Sequence, residues 1–255
     1  MSDFPDPDDL LAHAAHRPWP VPDTPWLMTQ SWHDLLFAHW PLDPDALRSK
    51  VPANLPLDVF DGRAWIGVIP FHMTNVGPRG VPSLPGLSAF PELNVRTYVT
   101  LNGKPGVYFL SLDAASTLAV IGARTMFHLP YYRAAMAVHT AARRVTYRSA
   151  RRSAVNAQFL GTYEPVGVVS PAVPGTLEYF LTERYCLYTM TRSGEPRRLE
   201  IHHQPWPLQT ADAQIAVNTM ARAAGITLPA VAPLVHFAKR MDVLTWGMQV
   251  AVRAR

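Results

Sequence analysis

The sequence contains a single cysteine, Cys186, among its 255 residues. One thiol excludes an internal disulfide framework and is typical of proteins of the reducing cytoplasm. Long apolar runs are missing as well, since none approaches the ~18 residues that a membrane-spanning helix needs. The first twenty residues are acidic and rich in proline, which is not the pattern of a secretory signal. We therefore expect a cytoplasmic protein that does not enter a membrane.

Charged residues are also scarce. They make up 16% of the chain, while 48% is hydrophobic, so much of the chain can be buried in a large core. The net charge of +4 is too small to predict a nucleic-acid partner. Arginine supplies nearly all of the positive charge, and the only lysines are Lys50, Lys104 and Lys239. The arginines of residues 143–152 are typical of a charged sheet edge.

Several well-known catalytic and cofactor motifs are absent. The sequence has no GxGxxG after a predicted strand, no P-loop and no GxSxG, so nucleotide binding and serine hydrolysis of those types are not indicated. The ten histidines include no HExxH pair. His33 and His39 share one face of a predicted strand but lie about 20 Å apart along it. We expect neither a metal nor an organic cofactor.

The residues that are present predict many strands with isolated short helices between them. Residues 1–28 form a proline-rich extension, and residues 29–255 form one domain. An Asp-Gly pair at 61–62 predicts a hairpin, and residues 234–252 predict a closing pair of strands. Residues 78–91 are a long loop rich in proline and glycine, which could act as a lid. This order favours an antiparallel, barrel-like α+β domain that is mainly β.

A polar row on one predicted strand is the main candidate for a site. Glu92, Asn94 and Arg96 alternate with apolar residues in PELNVRTYVT, so they share one face of the strand. Such alternation is typical of a sheet whose polar face meets water. The other interpretation places the row inside a barrel, where an acid and an arginine need partners. The row by itself favours the solvent-facing interpretation.

Longer blocks of the sequence resemble a known family. WHDLLFAHWPLDPDALR, LDVFDGRAWIGVIPF, LPGLSAFPELNVRTYV, GVYFLSLDA and ARTMFHLPYY are similar to the YqjF-like bacterial proteins, known as domain of unknown function 2071. That family is a distant member of the acetoacetate decarboxylase-like superfamily. The resemblance implies a double-layered antiparallel β-barrel or cone with a central cavity and short peripheral helices. It also implies that the strand of Glu92 lines the cavity, which favours the inward orientation of the row.

The resemblance breaks down at the catalytic lysine. Decarboxylases of the superfamily carry two lysines in a Gly-Phe-Pro-Lys-Lys motif, and the first forms a Schiff base with a β-keto acid. The corresponding segment here is His128-Leu129-Pro130-Tyr131-Tyr132, so tyrosines stand in the lysines' places. A phenol cannot form an imine. The resemblance therefore implies a related cavity without imine chemistry.

These inferences lead to a specific hypothesis for the site. Glu92 acts as acid or base, with Tyr131 donating a hydrogen bond to a carbonyl or enolate oxygen. Arg96 holds an anionic group by paired hydrogen bonds. The other predicted ligand contacts are Asn94, Asp113, His128 and Tyr132. The expected ligand is a small organic acid, and the expected chemistry is lyase-like. The sequence leaves open whether the protein forms a homo-oligomer. The alternative is a non-catalytic sensor or interaction protein on the same fold.

Overall fold

Strands dominate the computed structural model, which describes residues 3–81, 88–117, 120, 121, 124, 127–153 and 155–251. The strands are β1 (Met28–Leu42), β2 (Ala64–Pro78), β3 (Phe90–Leu101), β4 (Lys104–Ala114), β5 (Tyr131–Ala141), β6 (Arg144–Arg151), β7 (Gln158–Val166), β8 (Cys186–Met190), β9 (Pro196–His202), β10 (Leu208–Asn218), β11 (Leu234–Thr245) and β12 (Gln249–Val250). The helices are α1 (Pro7–Ala12), α2 (Pro44–Arg48), α3 (Leu177–Thr182) and α4 (Met220–Ala223), and positions 117, 120, 121, 124 and 127 are also helical. Among the described residues, no helix has the length and apolar character needed to cross a bilayer.

The sheet closes on itself twice. Nine strands form one ring in the order β4-β3-β2-β1-β11-β10-β7-β6-β5, which a parallel pairing of β5 with β4 completes. Seven strands form a second ring in the order β4-β3-β2-β1-β11-β9-β8, which a parallel pairing of β8 with β4 completes. The two rings share the five-stranded wall from β4 to β11. This architecture confirms the predicted double-layered, mainly antiparallel barrel.

The shared wall has a different environment on each face, because successive side chains of a strand point to opposite sides. On β3, Leu93 and Val95 join a hydrophobic cluster with Tyr147 and Phe159 inside the nine-stranded ring. The opposite face belongs to the seven-stranded ring. There a second apolar cluster surrounds Trp206.

Local sequence signals explain several of the connections. Asp43 caps α2 through its carboxylate, which accepts a hydrogen bond from the Asp45 amide, and Pro44 opens the helix. Asp61 and Gly62 both have positive φ, which forms the predicted tight turn. The expected hairpin is reduced to a single bridge between Phe60 and Arg63. The chain before the turn pairs with β3 instead, through a bridge from Leu57.

Two strands, β11 and β12, lie in residues 234–252 as predicted, but they do not pair with each other. β11 pairs with β1 along its length, with β10 at three positions and with β9 at its end. β12 also pairs with β9, so the two strands lie one after the other along β9. The central residues 82–87 of the predicted lid at 78–91 lie outside the described part of the chain, and Phe90 and Pro91 already belong to β3.

The proline-rich extension packs against β9 and the end of β11. Leu10 of α1 joins Leu244 and Trp246 in a small apolar cluster. Farther along, Arg17 forms an ion pair with Glu200 at 3.1 Å, and the Trp19 indole donates to the same carboxylate at 2.7 Å. The extension therefore supplies both apolar cover and hydrogen-bond donors to the seven-stranded ring.

Candidate active site

A cavity of about 320 Å³ lies inside the seven-stranded ring, and every strand of that ring contributes to its wall. Apolar side chains make up most of the lining, among them Trp32, Phe37, Phe71, Phe109 and Trp206. The lining residues with polar groups are fewer: Gln30, Glu92, Asn94, Arg96, Tyr131, Thr182, Arg184, Cys186, His203 and Thr245. An apolar cavity with a few placed polar groups is the usual form of a small-molecule site.

The polar row of β3 faces this cavity. Glu92, Asn94 and Arg96 are only 4%, 5% and 8% exposed, and all three line the wall. Leu93 and Val95 point the other way, into the core of the nine-stranded ring. The solvent-facing interpretation of the row is therefore wrong, and the inward orientation implied by the resemblance is observed.

Glu92 forms a hydrogen-bonded pair with Tyr131, whose hydroxyl donates to Glu92 Oε2 at 2.7 Å. Register brings the two together, because β3 places Glu92 opposite Ala114 of β4, and β5 begins at Tyr131 beside Leu112 of the same strand. Burial raises the pKa of Glu92 to about 8, although the hydrogen bond from Tyr131 opposes the rise. The pKa of Tyr131 lies well above its ordinary value, also because of burial. The pair therefore combines a carboxyl group that titrates near neutral pH with a phenol that stays protonated.

Arg96 is a buried cation without an acidic partner. Its Nε donates to the Tyr98 hydroxyl at 3.3 Å and its Nη2 to the Leu181 carbonyl at 3.1 Å. No carboxylate in the described part of the chain forms an ion pair with it. The other guanidinium at the cavity, Arg184, is neutralised by Asp58 at 2.5 Å. A buried charge without a counter-charge costs free energy. An anionic ligand at this end of the cavity would therefore offset the buried charge of Arg96.

Two predicted contact residues, Asp113 and Tyr132, lie away from the cavity. Asp113 is fully buried on the face of β4 opposite to Leu112, which does line the cavity. Its carboxylate accepts hydrogen bonds from Arg151 at 2.6 and 3.0 Å. The Tyr132 ring stacks on the same guanidinium, 3.9 Å from the Arg151 Cζ. Both residues belong to a structural ion-pair cluster, and their predicted substrate contacts are wrong.

His128 is misplaced for the predicted role as well. The residue is exposed, has a positive φ and borders a separate surface pocket. Its carbonyl accepts a hydrogen bond from the Thr189 hydroxyl at 3.0 Å. The left-handed backbone turns its side chain away from the cavity, while the next residue, Leu129, lines it.

All three lysines of the chain are described, and none of them lines the cavity. Lys104 pairs with Glu200 at 3.3 Å, and Lys239 pairs with Asp34 at 2.5 Å. Lys50 borders the separate surface pocket. Tyr131, which lies in the segment predicted to correspond to the lysine motif, does line the cavity.

Sequence reasoning missed Arg184 and His203. Arg184 follows α3, which had no motif to mark it. His203 faces the cavity while His202 faces away and bonds to the Leu10 carbonyl at 2.8 Å. Burial lowers the pKa of His203 to about 4, so its ring is neutral and packs against Tyr185 at 4.6 Å. Within the described residues, no three or more His, Cys, Asp and Glu side chains group as a metal site would require.

Solved structures of several enzymes share this fold. An acetoacetate decarboxylase from Legionella pneumophila subsp. pneumophila str. Philadelphia 1 has a TM-score of 0.63 at 12% identity, covering 99% of this chain and 98% of that chain. The enduracididine biosynthesis enzyme MppR, complexed with pyruvate, has a TM-score of 0.62 at 12% identity, covering 90% and 91%. An acetoacetate decarboxylase-like enzyme from Sphingomonas wittichii RW1 has a TM-score of 0.58 at 14% identity, covering 92% and 98%. At these identities the likeness shows the fold alone.

Sequence similarity identifies the family. The chain is 51% identical over 229 residues to the uncharacterized protein YqjF of Bacillus subtilis (strain 168), which covers 90% of this chain and 94% of the relative. The model of the family DUF2071, described as an uncharacterized conserved protein, matches residues 29–242. This chain therefore belongs to the DUF2071 family, on an acetoacetate decarboxylase-like fold.

Proposed function

We propose that the cavity binds a small organic acid carrying a ketone and that Glu92 and Tyr131 transfer a proton at the carbon beside that ketone. The observation that carries the proposal is the hydrogen-bonded Glu92–Tyr131 pair in a cavity without a lysine. The fold neighbours include acetoacetate decarboxylases and an enzyme complexed with pyruvate, which supports an oxo-acid ligand. The chemistry is that of a lyase or isomerase without a cofactor or an imine.

The proposed step is an enolisation. The Glu92 carboxylate takes a proton from the carbon next to the ketone, and the electron pair of that C–H bond moves to the carbonyl oxygen. Once Glu92 is protonated, it no longer needs the hydrogen bond from Tyr131. The phenol is then free to donate to the enolate oxygen, where negative charge has developed. Arg96 holds the carboxylate of the ligand through its unmatched charge.

Proton exchange at carbon tests this step directly. We expect the protein to accelerate deuterium uptake from D₂O beside the ketone of 4-oxopentanoate, followed by proton NMR. Glu92→Gln removes the base and is expected to lower the rate about a hundredfold or more. Tyr131→Phe removes the oxyanion donor and is expected to lower it about a hundredfold. Tyr132→Phe is the matched control. It removes only the hydroxyl from a ring that lies on Arg151 outside the cavity, so the exchange rate is expected to stay unchanged.

Two outcomes would contradict the proposal. Exchange at the rate of buffer alone would exclude proton transfer on this ligand class. A covalent adduct trapped by borohydride with an oxo acid would show imine formation, which the positions of Lys50, Lys104 and Lys239 argue against.

A non-catalytic ligand sensor is the second candidate, and the mainly apolar lining of the cavity favours it. Both candidates need Arg96, so Arg96→Ala weakens anion binding under either one. They differ in the exchange experiment, since a sensor binds the oxo acid and raises the melting temperature without moving its proton. Binding without exchange therefore selects the sensor.

Two other predictions accompany this proposal. The single cysteine, which is buried, predicts a reducing, cytoplasmic compartment. The chemistry proposed for Glu92 and Tyr131 needs no metal and no organic cofactor.

A further inference from the structure

Asn94 stands in the middle of the polar row and has an unused hydrogen-bond acceptor. Its Oδ1 is buried and has no partner among the described residues. The side chain is 5% exposed and lines the cavity between Glu92 and Arg96. Buried amide oxygens nearly always accept a hydrogen bond, because an unpaired one loses the bonds that water would supply. The unpaired oxygen therefore points to a donor on a ligand.

The two ends of the row are far apart. Glu92 and Arg96 are four residues apart on an extended strand, so their Cα atoms lie roughly 13 Å from each other. Glu92 turns toward Tyr131 at the start of β5. The Arg96 guanidinium turns the opposite way, toward the Tyr98 hydroxyl and the Leu181 carbonyl. A 2-oxo acid carries its ketone and carboxylate on adjacent carbons and cannot contact both ends.

We infer that the ligand is an elongated oxo acid with its ketone at Glu92 and Tyr131, its carboxylate at Arg96, and a hydrogen-bond donor in mid-chain facing Asn94 Oδ1. The donor is a hydroxyl or an amide N–H. This inference rests on the proposed function, because it takes the ketone and carboxylate ends from it. It adds the length of the substrate and the chemistry of its middle.

A matched pair of probes separates the mid-chain donor from the rest of the ligand. N-acetoacetylglycine has a ketone, a central N–H and a terminal carboxylate. N-acetoacetylsarcosine is the same molecule with a methyl group in place of that hydrogen. Pyruvate serves as the short oxo acid and octanoate as an acid without ketone or donor. Dissociation constants are measured by calorimetry for wild type and for Asn94→Leu.

We expect wild type to bind N-acetoacetylglycine about tenfold more tightly than its N-methyl form, which is the effect of one hydrogen bond. In Asn94→Leu this preference disappears and both probes bind equally. Pyruvate binds more weakly than either probe in wild type. The inference is overturned if the preference survives in Asn94→Leu, or if pyruvate binds as tightly as the elongated probes.

The stability of the ligand-free variant gives a second readout. Replacing an unpaired buried amide by an apolar side chain raises the melting temperature, whereas a structural asparagine would lower it on removal. Asn94→Ala repeats the test if leucine is too large for the site. If octanoate binds through Arg96 but neither acetoacetyl probe does, this inference fails while anion binding in the proposed function stands. If no carboxylate binds, both fail.

Discussion

At the scale of single residues, the protonation of Glu92 couples the site to stability. Burial raises its pKa from 4.5 to about 8, so the folded protein holds this proton more tightly than the unfolded chain does. The contribution of this bound proton to the free energy of unfolding is therefore complete below pH 4.5 and is lost as the pH rises through 8. Glu92→Gln cannot ionise. We expect it to gain stability relative to wild type across that window, by a few kcal/mol at its upper end.

Urea unfolding across the same pH window measures this difference. Glu195→Gln is the matched control, because it makes the same substitution at an exposed position between β8 and β9. A pH-independent difference for Glu92→Gln would show that the carboxyl group titrates normally in the folded protein.

The Asp113–Arg151 pair holds the sheet together next to the site without entering it. Both side chains are almost fully buried, at 0% and 2% exposure, and among the described residues each forms an ion pair with the other alone. Asp113→Leu leaves the Arg151 guanidinium buried without its ionic partner. It is expected to lower the free energy of unfolding, measured in urea, by about 3–5 kcal/mol. The double variant Asp113→Leu/Arg151→Met removes both charges and is expected to recover most of that loss. A double variant as unstable as the single one would contradict this account.

The same residues show what the sequence could predict at this scale. Alternation placed Glu92, Asn94 and Arg96 on one face, and the resemblance chose the correct face. Asp113 was placed at the site because an aspartate at a strand end gives no sign of its partner. Arg151 lies in β6, and only the folded register brings it to Asp113.

At the scale of elements, a bulge in β1 reverses the direction of the side chains that follow it. The pairing of β1 with β2 shifts between His33 and Ala38, and Asp34 has a φ of 51°. The Lys239 Nζ donates a hydrogen bond to Asp34 Oδ1 at 2.5 Å, and the Tyr163 hydroxyl donates one to the Asp34 backbone carbonyl at 2.8 Å. Trp32 and Leu35 therefore both face the cavity, although their numbers differ in parity. The prediction that His33 and His39 share a face fails for this reason, since strict alternation assumes an unbroken strand.

Gly106 lets β4 and β8 approach each other closely at the wall of the cavity. A Cβ at this position would lie 2.7 Å from the Cys186 carbonyl oxygen and 2.8 Å from the Tyr188 ring. Gly106→Ala is therefore expected to destabilise the protein by about 1–3 kcal/mol in urea unfolding. Gly247→Ala is the matched control, because its Cβ would meet open space and its φ is not positive. Equal stabilities of the two variants would rule out a packing role for Gly106.

At the scale of the whole molecule, two parallel pairings decide the architecture. β4 pairs with β5 at one end and with β8 nearer its start, and these pairings complete the two rings. The abundance of strands, the short helices and the mainly β class could be predicted from composition and periodicity. The ring closures could not, because β8 lies about seventy residues after β4 and no local pattern records which distant edge it meets. The barrel fold was predicted from the family resemblance, because periodicity does not specify which strands pair.

The N-terminal extension lies before the family match, yet it packs on the seven-stranded ring. Arg17 and Trp19 satisfy the buried Glu200, and Leu10 covers Leu244. The His16 ring also contacts the carbonyl of the cavity residue His203 at 2.8 Å. We expect deletion of residues 1–26 to lower the melting temperature by several degrees, because it leaves a buried carboxylate short of donors and exposes apolar surface.

A single substitution within the extension separates the two causes of that loss. Trp19→Phe keeps a six-membered aromatic ring but removes the indole N–H that bonds to Glu200, together with part of the ring's bulk, so it is expected to lower the free energy of unfolding by about 1 kcal/mol or more. The deletion is expected to lower the free energy of unfolding clearly more than Trp19→Phe does. It should also weaken ligand binding, since it removes the segment that contacts His203. Equal binding and equal melting temperature after deletion would mean that the extension rests on the ring without stabilising it. A loss of stability with unchanged binding would confine its role to covering Glu200 and Leu244.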